Sequence, residues 1–527
     1  MKRKNMKTKV IYGVLILLTI NLIIYILYGA KALLNSDSTF IVDYANEQIR
    51  KNTLFPLDWI NTNDFWIYSL IPTINILLRF GVNYFFSRQI SVLIQSIFLI
   101  ILVIKLFKTE MKSKNEWFIF IFLLISGISG QFLFEIFGDG TYGSIIFYMI
   151  LELLLFIKYM KTQNLKILLA FSSILGLLTM CSLRFPIYIG APILCCVFYY
   201  IYVDGFSPKN RNLVVAVVLS IIIGYILNTI LRNNLVIYSN VNDVLTNDYN
   251  RLADSIKQMI FNYFWLCGST GLGIRSLSYH TTINFINVSS PLIVIVFIKF
   301  IYAIMTLIIP FNLRKKFANF NDGEKIVYIF AVSFSIIIIF FITIGGLYRW
   351  YRYVTPIIFF LNLLYPIFYK YINDNKNKKI FLIYVCLSVL SSLIISISSY
   401  YDYKSMSFKE NNYQKITNFL VNKNLKHGYV YEGKEQNLYT FLSEGQIQIN
   451  SIRKEDYQPA YWMNSKEWFT SEYYNDKVFF MRKNNQKELK IENKAIKTYE
   501  YLDYKIFIFN SNSEFFEYLN IMHYYTK

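Results

Sequence analysis

Charge is scarce in this sequence, and negative charge scarcest: 16% of its 527 residues are charged, 33 Asp and Glu against 53 Lys and Arg. That is too little polarity to solvate an ordinary soluble enzyme of this length. Histidine and cysteine are also few. His280, His427 and His523 lie far apart, and Cys181, Cys195, Cys196, Cys267 and Cys386 lack metal-ligand spacing, so neither a zinc centre nor a disulfide framework is expected. No internal repeat or low-complexity tract is present.

What the chain has instead is apolar surface, 55% hydrophobic and 18% aromatic residues. Runs long enough to cross a hydrocarbon core of roughly 30 Å recur along the first four fifths. Expected spans are 10–29, 84–107, 117–137, 144–160, 166–183, 186–203, 212–231, 290–310, 325–346, 353–371 and 379–398, eleven helices of a polytopic α-helical membrane protein. The first run, Val10–Tyr28, follows a charged start but exceeds the roughly 7–15 residues of a signal-peptide core and lacks a cleavage site, so it reads as an uncleaved signal-anchor.

The net charge of +20 does not point to nucleic acid, because Lys and Arg sit in short connectors rather than in one basic domain. With the N-terminus in the cytoplasm, the connectors carrying Lys105/Lys108/Lys112/Lys114, Lys158/Lys161/Lys166, Lys209/Arg211, Arg314/Lys315/Lys316 and Lys370/Lys376/Lys378/Lys379 all face inward. The outer loops are then about 30–83, 138–143, 232–289 and 345–353, within a membrane core of 1–399. Residues 400–527 mix short strands ("GYVYEG", "QIQINSI", "KVFFMR", "YKIFIFN") with helical stretches, the pattern of an extracytoplasmic α/β domain. Two outer stretches, 66–83 and "NRLADSIKQMIFNYFW", read as helices lying along the membrane surface.

The first outer loop gathers Asp37, Asp43, Glu47, Asp58 and Asp64, and carboxylates beside a bilayer are costly unless solvated, paired or used. Solvation and pairing account for Asp43, Glu47 and Asp64 taken singly, and "SDSTFIVDYANEQIRK" reads as a helix that Asp37 caps. Asp37 differs in position. It follows the first membrane helix directly, where a carboxylate would meet a lipid headgroup and a soluble acceptor together.

One membrane helix, an outer loop opening with Asp37, interfacial helices and then "SRQISVLIQSIFLIILVIKLFK" resemble the start of the GT-C class of integral-membrane glycosyltransferases. Gly138-Asp139-Gly140, "RYVTPIIFFLNLLYPI" from Arg352, and the outer domain at 400–527 extend the likeness over nearly the whole layout, each motif being short. The resemblance implies sugar transfer from a polyprenyl-phosphate carrier to an extracytoplasmic acceptor, a cell-wall polymer, glycolipid or protein, at a cell membrane. It makes Asp37 the base that takes the acceptor's proton, with Asp43 a rival because Ser36-Asp37-Ser38 lacks the adjacent second acid of many members.

Asp139 is the accessory acid on this reading, and Asp37 and Asp139 are the residues that could hold a divalent cation, Mg2+ or Mn2+. A plain Asp-Gly turn explains Asp139 equally well. Arg352, Arg349 and Arg184 are candidates for the donor phosphate, since arginine grips phosphate bidentately, with snorkelling to headgroups the alternative that Arg184 and Arg275 fit better. Trp350, Tyr348, Trp265 and Trp59 could stack on sugars or belong to an interfacial aromatic belt. Two further functions stay open: a polymerase of lipid-linked repeat units, and a flippase or transporter. Against transport, mid-span positions are almost wholly uncharged, Glu135 and Glu152 excepted.

Overall fold

The computed structural model describes residues 2–29, 34–108, 113–126, 129–237, 249–269, 290–344, 351–405, 412–431, 435–453, 460, 463–470, 476–486 and 488–519. It is mostly helical and divides into two compact units. One comprises 1–30, 92–228 and 240–402; the other comprises 31–91, 229–239 and 403–527.

Among the described residues seven helices are long and apolar enough to cross a membrane: Tyr84–Phe107, Thr141–Thr162, Pro186–Asp204, Pro208–Asn234, Val294–Arg314, Asp322–Ile344 and Tyr351–Tyr371. Gly13–Leu27 and Leu165–Cys181 are shorter apolar helices. Their outward faces stay greasy, as Leu219, Ile223 and Ile226 on one helix and Ile336 and Phe340 on another show. That is the surface expected of helices whose solvent is lipid.

The expected run 117–137 is not one helix. Lys114–Ser126 is followed by a short helix, Gly130–Leu133, and then by a π turn, Phe134–Gly138, which Asp139 N closes by donating to Phe134 O across 2.6 Å. Gly140, at φ +77°, then redirects the backbone into Thr141–Thr162. Gly143 lets that turn seat on its neighbours, since a Cβ there would stand 2.3 Å from Ile136 O and 2.6 Å from Gln95 Nε2.

The second unit joins the first outer segment to the C-terminal region. Strand β1 (Ile60–Asn61) pairs in parallel with β2 (Val236–Ile237), Ile60 N donates to Asn464 O at 2.8 Å, and Trp59 bridges Ser465. A five-stranded sheet follows, of β3 (His427–Tyr431), β4 (Gln448–Ile452), β5 (Val478–Lys483), β6 (Lys497–Tyr501) and β7 (Tyr504–Phe509), in the order β4-β3-β5-β7-β6. β3 runs parallel to β4 and β5, while β7 is antiparallel to β5 and β6.

Central β5 is apolar without alternation because both its faces are covered. Phe479 and Met481 pack with Ile416, Leu420 and Ile506 on one side; Phe480 meets Phe507 and Phe515 on the other. Edge strand β6 exposes Lys497 and Glu500, charges that discourage pairing with another chain.

Candidate functional site

The π turn of the helical unit carries two buried acids. Glu135 and Asp139 stand four residues apart on it, 4% and 8% exposed, so two acids share one buried turn. Gln131 donates to Glu135 Oε1 at 2.8 Å, and the same nitrogen lies 2.9 Å from the Tyr351 hydroxyl. Burial, and then the charge of Asp139, push the Glu135 carboxyl up to about 8 against the opposing pull of Arg352, Gln131 and Tyr351. Glu135 lies outside the seven spanning helices.

Arg352 sits in the 3-10 turn Tyr351–Val354, just before the helix Thr355–Asn362, where Pro356 fits the first turn because its missing N–H leaves no bond unmade. The Arg184 guanidinium lies 5.4 Å from the Tyr353 ring centre, and Tyr353 packs edge-on to Tyr142 at 6.3 Å. The charges of both Arg184 and Arg352 act on Tyr142. The Tyr142 hydroxyl is buried without a hydrogen-bond partner, as is Thr355 Oγ1. A buried donor left unpaired costs about 1–3 kcal/mol, so a phenol held this way beside two arginines is matched to an anionic acceptor. Trp265 stands edge-on to Tyr351 at 4.7 Å.

Of the residues expected to act, Asp139, Arg352, Arg184 and Trp265 thus gather in one place. Glu135 joins them as an acid partner, having entered the sequence reading only as an exception among uncharged spans. Tyr142, Gln131 and Tyr351 are additions that no motif marked. Arg349, Trp350, Tyr348 and Arg275 lie outside the described residues.

Asp37 and Asp43 belong to the other unit, on the helix Ser36–Lys51. Asp37 is in its first turn but does not cap it. Asn35 does, in a capping box with Ser38, because Asn35 holds the extended backbone that lets its side chain reach Ser38 N. The helix start is pinned further: Ser36 N donates to Glu435 at 3.2 Å, Asn437 N to Ser36 Oγ at 3.2 Å, and fully buried Arg88 to Ser38 O at 2.7 Å. Half-buried Asp37 therefore stands on a fixed support, whereas Asp43, one and a half turns on, is 5% exposed. Burial, reinforced by Glu47, holds the Asp43 carboxyl well above the usual range.

Glu47, Asp58 and Glu467 bring three carboxylates within 4.8 Å, close enough for a metal. The protein supplies its own cations there. Lys51 Nζ lies 2.5 Å from Asp58 and 2.9 Å from Glu467, and Arg50 Nη2 lies 2.6 Å from Glu47 and 2.5 Å from Glu467. Two of the first outer loop's five acids, Glu47 and Asp58, thus belong to a structural ion network, and Asp64 is buried.

Within the spanning helices, Glu152 is 0% exposed with neither carboxylate oxygen hydrogen-bonded, and Lys299 is 1% exposed. Lys299 went unmarked at the sequence level because one lysine hardly lowers the hydropathy of "IVIVFIKFIYAI". No family model matches the chain, and no curated protein matches it significantly.

Proposed function

We propose that this chain is a GT-C-like integral-membrane glycosyltransferase that moves a sugar from a polyprenyl-phosphate donor to an extracytoplasmic acceptor, with the C-terminal domain outside. The observation that carries the reading is the Tyr142 hydroxyl, buried without a partner under the charges of Arg184 and Arg352. Two guanidinium groups and a phenol suit the oxygens of a lipid-linked phosphate, which stays at headgroup level while its sugar projects outward. The acid pair Glu135 and Asp139 on the same turn would engage sugar or acceptor hydroxyls.

In the transfer, an acceptor oxygen forms a bond to the anomeric carbon as the bond from that carbon to the phosphate oxygen breaks. The electron pair leaves with the phosphate, which Arg352, Arg184 and Tyr142 stabilise. The acceptor's proton goes to a positioned carboxylate, the role that the resemblance gives to Asp37. Phosphate is a good leaving group, so one base suffices where a hydrolase needs two flanking carboxylates. A divalent cation, if used, would fall to Asp37 or Asp139 and would add positive charge at the phosphate.

The test is release of free polyprenyl phosphate from a lipid-linked sugar by the purified protein with candidate acceptors. Asp37→Asn should abolish release while lipid binding persists, and retained turnover would remove Asp37 from the mechanism. A second reading, passage of a lipid-linked sugar across the membrane, draws on buried Glu152 and Lys299, since ionisable groups inside spans often mark transport paths. Vesicles without acceptor separate the two: unmodified substrate crossing the bilayer contradicts transfer.

A further inference from the structure

We propose that the loop at 52–57 is a membrane anchor: it seats Leu54 and Leu57 in the lipid leaflet at which the spanning helix Tyr84–Phe107 begins, beside a second apolar projection on the helix Ile71–Arg79. Leu54 is 70% exposed and Leu57 67%. Single leucines on a surface need no explanation, but these two are held out by a built support. Lys51 Nζ and Asp58 close the base of the loop at 2.5 Å, and Asn52, in the left-handed region at φ +48°, turns the chain out of the helix Ser36–Lys51. Gln48 Nε2 and the Tyr44 hydroxyl both donate to Leu54 O, at 2.8 and 3.2 Å. Between the leucines, Phe55 packs edge-on to Phe65 at 6.4 Å and Pro56 is buried. The apolar residues of one short loop are thus divided, two kept in and two presented outward, where water would not favour them.

The helix Ile71–Arg79 repeats the pattern. It packs against Ser36–Lys51 with Ile71 and Ile74 buried, while Ile76 and, just past its end, Phe80 are exposed one turn apart. A helix apolar on both faces needs cover on both, and here protein covers one. Gln48 braces the two projections together: besides holding Leu54 O, its Oε1 accepts from Asn75 Nδ2 at 3.1 Å, and Asn75 Oδ1 accepts from Arg79 Nε at 2.9 Å.

Where the chain goes next decides what covers this surface. Gly81, at φ +77°, turns the backbone, and Tyr84 opens a helix apolar enough to cross a membrane, with Phe86 exposed in its first turn. Four residues reach at most about 14 Å, so Phe80 stands near the level where that helix meets the bilayer. Apolar side chains at that depth, with exposed Arg79 among them to reach headgroup phosphates, suit a lipid surface rather than a soluble partner. Because loop and helix are both tied to Ser36–Lys51, their seating in lipid fixes the height of that helix at the bilayer surface. This inference rests on insertion of the chain in a membrane and not on glycosyl transfer.

The experiment is tryptophan fluorescence of full-length Leu54→Trp and Phe80→Trp in phosphatidylcholine nanodiscs, read as the difference from wild type, with acyl-chain-brominated lipid or iodide as quencher. Both added tryptophans should lose most of their emission in brominated lipid and keep it in iodide. Emission at position 54 that iodide quenches and brominated lipid does not would overturn the anchor, leaving the loop in water. Protection from both quenchers would overturn it too, by placing a second copy over the loop. Quenching of Phe80→Trp alone by brominated lipid would confine the anchor to the helix and remove the loop from it. Should Leu54→Trp fail to fold, Leu57→Trp takes its place with the same outcomes.

Discussion

Gln131 donates its side-chain amide across 2.8 Å to the carboxylate of Glu135, an acid that burial and Asp139 push up to about 8. A carboxyl raised in the folded state favours its protonated form there. Its stabilising contribution is complete below the unfolded value of 4.5 and is lost as pH rises towards about 8. The unfolding midpoint of the full-length protein should therefore fall across that window, by at most ~1.4 kcal/mol of stability per pH unit for this one proton. Glu135→Gln should flatten the slope. An identical slope in the variant would assign the pH dependence to other groups.

Asp37 and Asp43 share a helix and differ in surroundings, so their variants should differ. A base must be ionised to accept a proton, and burial, reinforced by Glu47, raises the Asp43 carboxyl and so disfavours its ionised form. Asp43→Asn should keep transfer within about threefold of wild type, while Asp37→Asn should lose it by ~10²-fold or more, the range of general-base contributions. Initial rates of polyprenyl phosphate release decide between them. Loss in Asp43→Asn with retention in Asp37→Asn would exchange the two roles.

Lys51 joins Asp58 and Glu467 in the ion network of the second unit, and the same contacts set that network's response to acid. Burial raises the Asp58 carboxyl, but hydrogen bonds from Lys51 and Ser465 together outweigh it and hold Asp58 below its ordinary range. A lowered carboxyl contributes stability above its unfolded value that is lost as pH falls through the folded one. Lys51→Met should cost about 1 kcal/mol at neutral pH, since three carboxylates lose a shared counter-ion, and should weaken the loss of stability on the acid side. A chelator should leave the unfolding midpoint unchanged, because Lys51 and Arg50 already neutralise the acids. A drop with chelator would place a metal at Glu47, Asp58 and Glu467.

The parts readable from the sequence are those that depend on neighbours along the chain. Apolar runs mark spanning helices, and short apolar stretches mark β3, β4, β5 and β7 with the helix Asn512–Tyr518 behind them. β6 escaped because "KTYEY" is half charged and polar, as an exposed edge should be. The break at 134–138 escaped because hydropathy stays high through a π turn: Phe134, Ile136 and Phe137 are as apolar as any helix. The Lys51 network depends on Glu467, more than four hundred residues downstream, and no local pattern could announce it. Asp139, Arg352 and Arg184 could each be named from motif or position, but their grouping around Glu135 and Tyr142 exists only in three dimensions.

Tyr142 offers the sharpest separation of phosphate binding from chemistry, because its hydroxyl is the buried donor beside Arg184 and Arg352 and removing it leaves the ring contact with Tyr353 intact. Tyr142→Phe deletes one oxygen that has no partner within the protein, so the fold should lose nothing and could gain slightly. If the phenol donates to the donor phosphate, KM for the lipid-linked sugar should rise about 10-fold, the value of a hydrogen bond to a charged group, with KM for the acceptor unchanged. Arg352→Lys should cost more than that, since an ammonium keeps the charge but loses the planar fork that grips two phosphate oxygens. Were Tyr142→Phe instead to lower kcat with KM unchanged, the hydroxyl would act on the departing phosphate only as its charge develops, and the clamp would belong to the transition state rather than to donor binding.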